Sequence, residues 1–234
     1  MRVVSWNIEH GIGIDAAIDA LATHPDLASA DVLLLQEMDD EGPGQIAEAL
    51  GLGYQYRAGC KHTATGRPFG NAILARGTVG EPTVMELPHL ARIIGQRRVA
   101  VHAPVTIEQA PRSFELMAWS VHAEVSTLPH RRQLAQYRAV ADSVHDSSAD
   151  IAVVAGDFNT ASSRSVRGLV DSMTAVGMQR ANATSGRTFT RFGLGFELDH
   201  IFTKGLDLID VGVVSGHGAS DHDPVWAEFE RAQP

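Results

Sequence analysis

Two runs in this chain of 234 residues contain only apolar side chains, at residues 32–35 and 151–155. A strand with one face in solvent alternates between apolar and polar residues, whereas a strand covered on both faces reads as a continuous apolar run. Both runs are far shorter than the roughly 20 residues that a membrane-spanning helix needs. They therefore predict central strands of sheets that are covered on both faces.

Seven further runs have the composition of strands, and three segments have the apolar spacing of helices. The strand-like runs span residues 2–6, 71–75, 99–103, 116–121, 198–203, 208–214 and 224–229. The helix-like segments span residues 14–21, 129–144 and 165–176. Because strands outnumber helices and the helices fall between strands, we predict two sheets packed together with helices on their outer faces.

Composition and cysteine content limit the fold and the metal chemistry. With 44% hydrophobic and 20% charged residues, the chain can bury a substantial core. No linker-like stretch divides it, so we expect one domain over residues 1–234. A single cysteine excludes an internal disulfide framework and a cysteine-based zinc site.

The net charge of −9 bears on the possible partners. Sequence-independent binding of a long polyanion relies on Lys and Arg that neutralise phosphates, so this acidic balance argues against it. A phosphate substrate bridged by a metal ion stays possible. The N-terminus lacks the features of a secretory signal and no run is long enough to span a bilayer. We accordingly expect a cytoplasmic monomer.

Polar side chains adjoin many of the strand-like runs, at the points where the strands would end. They are Asn7, Glu37, His122, Asp157 with Asn159, Asp199, and the segment Asp221-His222-Asp223. Side chains at strand ends are held by a rigid sheet without entering its core. This set is therefore the candidate site.

Oxygen donors in this set suit a hard divalent cation. Glu37, Asp157 and Asn159 offer carboxylate and amide oxygens, which favour Mg²⁺ or Mn²⁺ over structural zinc. In an extended segment Asp157 and Asn159 face the same way, while Phe158 turns into the core. An Asx-type turn explains the same pair without any ligand.

Histidines add possible proton donors and acceptors. His122 and His222 can act as a donor or a base, and Asp199 can orient an imidazole through one ring N–H. His10 and His200 are next to motif residues, but adjacent strand residues point to opposite faces, so we expect structural or surface roles. His217 lies in a loop, and a substrate contact is the less favoured interpretation of this position.

Seven motifs together resemble the endonuclease/exonuclease/phosphatase superfamily. They are Trp6-Asn7, Leu35-Gln-Glu37, Gly70-Asn-Ala-Ile-Leu74, His122, Gly156-Asp-Phe-Asn159, Leu198-Asp-His-Ile-Phe202 and Ser220-Asp-His222. They follow the family's order and cover nearly the whole chain. The resemblance implies an α/β fold, a four-layer αββα sandwich of two mixed sheets flanked by helices. It also implies a divalent metal, usually Mg²⁺, and hydrolysis of a phosphate ester.

The resemblance further implies a role for each matching residue. Glu37 matches the principal metal carboxylate, and Asn7 and Asp221 match residues at or beside the metal. Asp157 matches the residue that positions or activates the attacking water, and Asn159 matches a phosphate contact.

The two histidines match residues that act on the phosphate. His222 matches the catalytic histidine at the scissile phosphate, with Asp199 as its orienting carboxylate, and His122 matches a second histidine on the phosphate. Many members have Asn-Thr before the latter histidine and Leu after it, whereas this chain has Ser120-Val and Ala123. The number of metal ions and the identity of the general base stay open.

Three functions are compatible with these residues. The first is a metal-dependent phosphodiesterase or phosphatase on a compact substrate, the second a DNA or RNA nuclease, and the third a binding module without catalysis. A non-catalytic module should lack Glu37, Asp157 or His222, so the third is disfavoured. A nuclease should carry a basic stripe with aromatic residues near the site, whereas the arginines here are scattered.

Overall fold

The computed structural model describes residues 1–62, 65–88, 97–108, 113–125 and 130–232. Its strands form two large sheets and one small hairpin. The first sheet contains, in spatial order, β14 (Leu206–Val213), β15 (Val225–Arg231), β1 (Arg2–Asn7), β2 (Val32–Met38), β4 (Pro68–Ala75) and β3 (Gly53–Lys61). The second contains β10 (Gln179–Arg180), β13 (Asp199–Lys204), β9 (Ala152–Asp157), β8 (Phe114–His122), β7 (Val99–Ile107) and β5 (Gly77–Val79), with β6 (Thr83–Glu86) paired to β7. The hairpin joins β11 (Phe189–Arg191) to β12 (Leu194–Phe196).

Helices cover the outer face of each large sheet. The first sheet packs against α1 (Ile14–Thr23), α2 (Pro25–Ala28) and α3 (Gly42–Leu50), and the second against α4 (His130–Ser147) and α5 (Ser163–Thr174). A third core lies between the sheets. The predicted four-layer αββα architecture is therefore confirmed. Among the described residues, no helix combines the length and the apolar character that crossing a bilayer requires.

The two continuous apolar runs lie where their composition predicts. Along β2, Val32 and Leu34 belong to the core between the sheets, while Leu33 and Leu35 pack under the helices. Along β9, Val153 belongs to the core between the sheets and Val154 to the core under α4 and α5. Both strands are thus buried on both faces, which explains why neither alternates with polar residues.

All nine strand-like runs overlap strands of the two sheets, and the three helix-like segments overlap α1, α4 and α5. Residue 129, the first of one helix-like segment, lies outside the described residues. The sequence interpretation missed two of the longer elements, β3 and α3, and the short elements α2, β5, β6, β10, β11 and β12. The edge strand β3 is mostly half-exposed and has no apolar run, and α3 begins with Gly42-Pro43-Gly44, residues that rarely indicate a helix except for proline in the first turn.

Strand pairing gathers the candidate residues at one edge of the sandwich. Strands β1 and β2 are parallel, and Asn7 pairs with Gln36. Strands β8 and β9 are also parallel, and His122 pairs with Asp157. The antiparallel β13 begins at Asp199, which pairs with Asp157 from the other side.

Buried polar side chains connect the two sheets beneath this edge. The Ser120 hydroxyl donates to the Leu35 carbonyl at 2.9 Å and accepts from Gln36 Nε2 at 3.0 Å. Asn71 Nδ2 donates to the Ser120 carbonyl at 2.9 Å. Because these hydrogen bonds join residues of both sheets, they fix the spacing of the sheets directly below the site.

Candidate active site

Glu37 reaches the site because β2 is irregular near its end. The pairing of β2 with β4 shifts register between Leu35 and Met38. Within this irregularity Glu37 has a φ of 55°, in the left-handed region. A bulge redirects a side chain, and non-glycine residues in this region often mark functional sites. The carboxylate consequently lines a surface cavity, with its side chain 15% exposed.

The segment from Gly156 to Asn159 is shaped by close strand packing. Gly156 has a φ of 154°, and a Cβ there would collide with the backbone carbonyl of Val121. Glycine thus lets β9 approach β8 immediately before Asp157. The Asn159 N–H donates to Asp157 Oδ1 at 2.8 Å, so the Asx-type turn is present. It occurs within the candidate site, and Phe158 is buried as predicted.

Asp157 is the centre of the cluster. Its Oδ2 accepts hydrogen bonds from Asn7 Nδ2 at 3.1 Å and Asn159 Nδ2 at 3.2 Å. His122 Nε2 and His222 Nε2 lie 3.6 and 3.8 Å from the same oxygen. The structure therefore brings four of the other seven predicted residues around the carboxylate of Asp157.

His222 and Asp199 form the predicted imidazole–carboxylate pair. His222 Nδ1 lies 2.9 Å from Asp199 Oδ2, and Trp6 Nε1 donates to the His222 carbonyl at 2.9 Å. The imidazole therefore lies between two carboxylates, with Asp199 on one side and Asp157 on the other. Asp199 is fully buried, and its Oδ1 has no hydrogen-bond partner among the described residues.

Burial and neighbouring charges shift the pKa values of this cluster. Burial, together with the charges of Asp199 and Glu37, raises the pKa of Asp157 to about 7, against the opposing effect of His222. Burial lowers the pKa of His222, but the carboxylates of Asp199 and Asp157 outweigh it and raise the value to about 10. Near neutral pH, His222 is therefore a protonated donor beside a carboxylate that readily accepts a proton.

His122 has the opposite character. Burial, followed by the charge of Arg98, holds the pKa of His122 well below its ordinary value. Arg98 Nη1 lies 3.1 Å from His122 Nδ1. Because a guanidinium can only donate, Nδ1 accepts and Nε2 carries the proton. That N–H faces Glu37 Oε1 and Asp157 Oδ2, each at 3.6 Å.

A cavity of about 270 Å³ opens onto this cluster. Six predicted residues line it: Glu37, His122, Asp157, Asn159, Asp221 and His222. The other two, Asn7 and Asp199, are buried and contact the lining residues from behind. All eight residues are thus gathered at one cavity, and the role assigned to each stays a prediction.

Two groups of side chains have the donor chemistry for a cation. Glu37 and Asp221 present carboxylates at the cavity, and such oxygens suit Mg²⁺ or Mn²⁺. In the buried group of Asp157, Asp199 and His222, one donor atom from each residue lies within 4.8 Å of the others. The unpartnered Asp199 Oδ1 belongs to this second group.

His10 and Arg98 are polar site residues that sequence reasoning missed, and it also missed the lining residues Phe189 and Phe196. His10 Nδ1 lies 3.1 Å from Glu37 Oε2. We expected His10 to be structural because strand residues alternate, but β1 ends at Asn7 and His10 lies in a tight turn with a φ of 60°. Arg98 lines the cavity from a position just before β7. The site was predicted from polar residues that follow strands, so a residue that precedes a strand was not identified.

His200 and His217, the other two histidines considered in the sequence analysis, do not line the cavity. His200 is buried, and its Nε2 lies 2.6 Å from Thr160 Oγ1, which agrees with the predicted structural role. His217 Nε2 lies 3.2 Å from Asp223 Oδ1, and its ring meets the Trp6 ring edge-on. His217 therefore supports the loop that carries His222, and nothing in its position indicates a substrate contact.

Comparisons with known proteins agree with this geometry. The sequence model described as Endonuclease/Exonuclease/phosphatase family matches residues 4–222. An endonuclease/exonuclease/phosphatase crystal structure from Bacteroides vulgatus superimposes with a TM-score of 0.76 at 16% identity, over 99% of this chain and 98% of that one. A mannosyl-6-phosphatase from Bacteroides thetaiotaomicron gives a TM-score of 0.69 at 17% identity, over 98% and 99%. A UPF0294 protein of Vibrio cholerae is 31% identical over 115 residues, 49% of this chain and 40% of that protein's length.

Proposed function

We propose that this chain, which belongs to the Endonuclease/Exonuclease/phosphatase family, is a divalent-metal-dependent hydrolase of phosphate esters with a compact substrate. Members of the family are generally hydrolytic phosphoesterases, and they include phosphatases and nucleases. The observation that carries the proposal is the arrangement around Asp157, whose Oδ2 lies within 3.8 Å of both His122 Nε2 and His222 Nε2 at one cavity.

The side chains have properties that phosphoester hydrolysis needs. Catalysis of phosphoryl transfer rests mainly on positioning and on stabilising negative charge. Asp157, with its raised pKa, accepts a proton from the attacking water. His222 donates a proton to the leaving oxygen, and the Nε2–H group of His122 holds a remaining phosphoryl oxygen, while Asn159 donates to Asp157 and fixes its carboxylate. Asp199 keeps His222 in the orientation that this donation requires.

Glu37 and Asp221 would hold the cation at the cavity, with Asn7 beside them. When bound, the cation supplies positive charge that polarises a phosphoryl oxygen and offsets the repulsion between the substrate and the carboxylates. We favour this group over Asp157, Asp199 and His222, because Asp199 already accepts from His222 at 2.9 Å. A cation there would break that hydrogen bond.

The volume of the cavity supports a compact substrate. At about 270 Å³ it falls just below the usual size of small-molecule sites, which is roughly 300–1,000 Å³. A phosphate and one small organic group are the natural occupants of such a space.

Metal-dependent turnover tests the proposal directly. We expect the purified protein to hydrolyse bis-p-nitrophenyl phosphate, or a small phosphomonoester, with added Mg²⁺ or Mn²⁺. Chelation with EDTA should abolish this activity because the uncompensated carboxylates repel the phosphate. Activity that persists in EDTA would contradict the metal requirement. If no phosphoester in a panel of sugar phosphates, diesters and oligonucleotides is hydrolysed, the proposed function is wrong.

A specific observation favours nuclease activity as the second candidate. Arg138, Arg164 and Arg167 line a groove of about 740 Å³ between α4 and α5. Asp142 and Asp171 line it too, yet none of the three arginines lies within 4.0 Å of a carboxylate in the described ranges. Arg167 also lines a depression that shares Ala161 and Phe196 with the catalytic cavity. An oligonucleotide leaving the cavity would meet these cations.

Charge reversal at Arg164 and Arg167 separates the two candidates. On the preferred proposal, the double variant Arg164→Glu, Arg167→Glu acts on bis-p-nitrophenyl phosphate and on single-stranded oligonucleotides as the wild type does. A nuclease would instead cleave single-stranded DNA or RNA more weakly after the change, with a salt dependence reduced by about one unit of slope per lost phosphate contact. Arg231→Glu is the matched control because Arg231 lines a different pocket, with none of the catalytic residues.

A further inference from the structure

We propose that the cavity contains a subsite for a planar aromatic group of the substrate, formed by Phe189 and Phe196 of the hairpin β11–β12. The inference rests on the proposed function, because it names the organic group that the phosphate ester carries. Both phenylalanines line the cavity together with Asp157 and His222.

Strand pairing places the two rings on one face of the hairpin. Phe189 and Phe196 are directly paired across β11 and β12, and their ring centroids lie 6.5 Å apart at an angle of 43°. Arg191 is two residues beyond Phe189 and therefore faces the same way. Arg191 lines the cavity as well. The hairpin thus presents two aromatic rings and a guanidinium to the bound substrate.

A tight turn fixes this pairing. Phe192 and Gly193 have φ values of 52° and 74° between the paired residues Arg191 and Leu194. Positive φ at both central residues is the requirement of a type I′ turn, the two-residue connection that matches the twist of a hairpin. The register that places Phe189 opposite Phe196 is therefore set locally.

The base of the hairpin is tied to the catalytic pair. Thr188 Oγ1 accepts from the N–H groups of Leu198 and Asp199, each at 3.1 Å. The Thr188 carbonyl accepts from the Asp223 N–H at 2.7 Å, and Phe189 forms a β-bridge with His222. The aromatic face is consequently held in a fixed position relative to the imidazole that acts on the phosphate.

The position of the rings indicates what they bind. The Phe189 ring lies 4.7 Å from the His222 ring, so a group attached to the phosphate comes to rest against the hairpin. Neither phenylalanine belongs to the three cores, and both are half-buried. Aromatic rings and guanidinium groups both stack on planar rings, an interaction that saturated groups do not provide. An aryl group or a nucleobase therefore fits this surface better than an aliphatic group of similar size.

Two phosphonates test the subsite without turnover, at an alkaline pH where both are dianions. Phenylphosphonate and cyclohexylphosphonate have similar size, and neither contains a hydrolysable ester. Isothermal titration with Mg²⁺ present is expected to show roughly tenfold tighter binding of the phenyl compound, within the range of base–aromatic stacking. Phe196→Leu, and separately Phe189→Leu, should bring the ratio of the two affinities close to one.

A control variant and the alternative outcomes make the test decisive. Phe114 lies in β8 and lines a different pocket, with none of the catalytic residues, so Phe114→Leu should keep the wild-type ratio. Equal affinities in the wild type, no binding of either compound, or an unchanged ratio in both folded cavity variants would overturn the subsite. The absence of phosphoester hydrolysis combined with a phenyl preference would overturn the proposed function and leave the subsite standing.

Discussion

Replacing His222 with alanine is expected to lower kcat for phosphoester hydrolysis by roughly 10²- to 10⁴-fold, the usual contribution of a positioned acid or base. The His222 imidazole lies between Asp199, 2.9 Å from Nδ1, and Asp157, 3.8 Å from Nε2, and both carboxylates favour its protonated form. Without it the leaving oxygen departs without a proton donor. Steady-state kinetics on bis-p-nitrophenyl phosphate with Mg²⁺ measures the effect, and circular dichroism shows whether the variant is folded.

A comparison of two leaving groups tests whether His222 acts as the acid. An acid that protonates the leaving oxygen matters most when that oxygen is strongly basic, so His222→Ala should impair a phenyl ester more than a p-nitrophenyl ester. His145→Ala is the matched control, since this exposed histidine lies near the end of α4 and does not line the cavity. An equal loss for both esters would contradict the role as acid, and a normal kcat would remove His222 from catalysis altogether.

The layered architecture could be predicted because it depends on burial. The runs in β2 and β9 are apolar at every position since each strand contributes alternate residues to two cores. Burial on both faces of a strand can be recognised from the composition and periodicity of the sequence. The edge strand β3 has no such requirement, because most of its residues are half-exposed. Its composition therefore gives little indication of a strand.

The site residues that lie at the ends of strands could be predicted from the sequence. Asn7, His122 and Asp157 are the last residues of β1, β8 and β9, so locating the strands locates these side chains. Other features depend on tertiary geometry. The contact of His10 with Glu37 depends on a tight turn after β1, and Arg98 reaches His122 from the start of a neighbouring strand. Neither position has a local sequence signature.

Part of the net charge of −9 comes from carboxylates at the cavity. Glu37, Asp157 and Asp221 line the cavity, and Asp199 lies behind His222. Four carboxylates so close to a phosphate would repel it, whereas a bound divalent cation reverses the local sign. The acidity that opposes binding of a long polyanion is thus compatible with a phosphate ester at this one place.

Replacing Glu37 with glutamine is expected to weaken divalent-cation binding by at least roughly 10- to 100-fold, since even residues that only support metal ligands contribute that much. The substitution keeps the shape of the side chain and removes one negative charge from the cavity wall. Isothermal titration with Mn²⁺ in the absence of substrate measures the affinity, and the Mg²⁺ concentration for half-maximal activity should rise in parallel. Glu48→Gln, on an exposed position of α3, controls for the loss of one carboxylate.

Comparison with Asp199→Asn decides which group of residues holds the cation. If Glu37 and Asp221 bind it, Asp199→Asn leaves the Mn²⁺ affinity close to the wild-type value and lowers kcat, because Asp199 acts through His222. If the buried group of Asp157, Asp199 and His222 binds it, the affinity falls in Asp199→Asn and is retained in Glu37→Gln. The second result would move the cation from the cavity wall to the position that the imidazole now bridges, and His222 would then be a ligand instead of a proton donor.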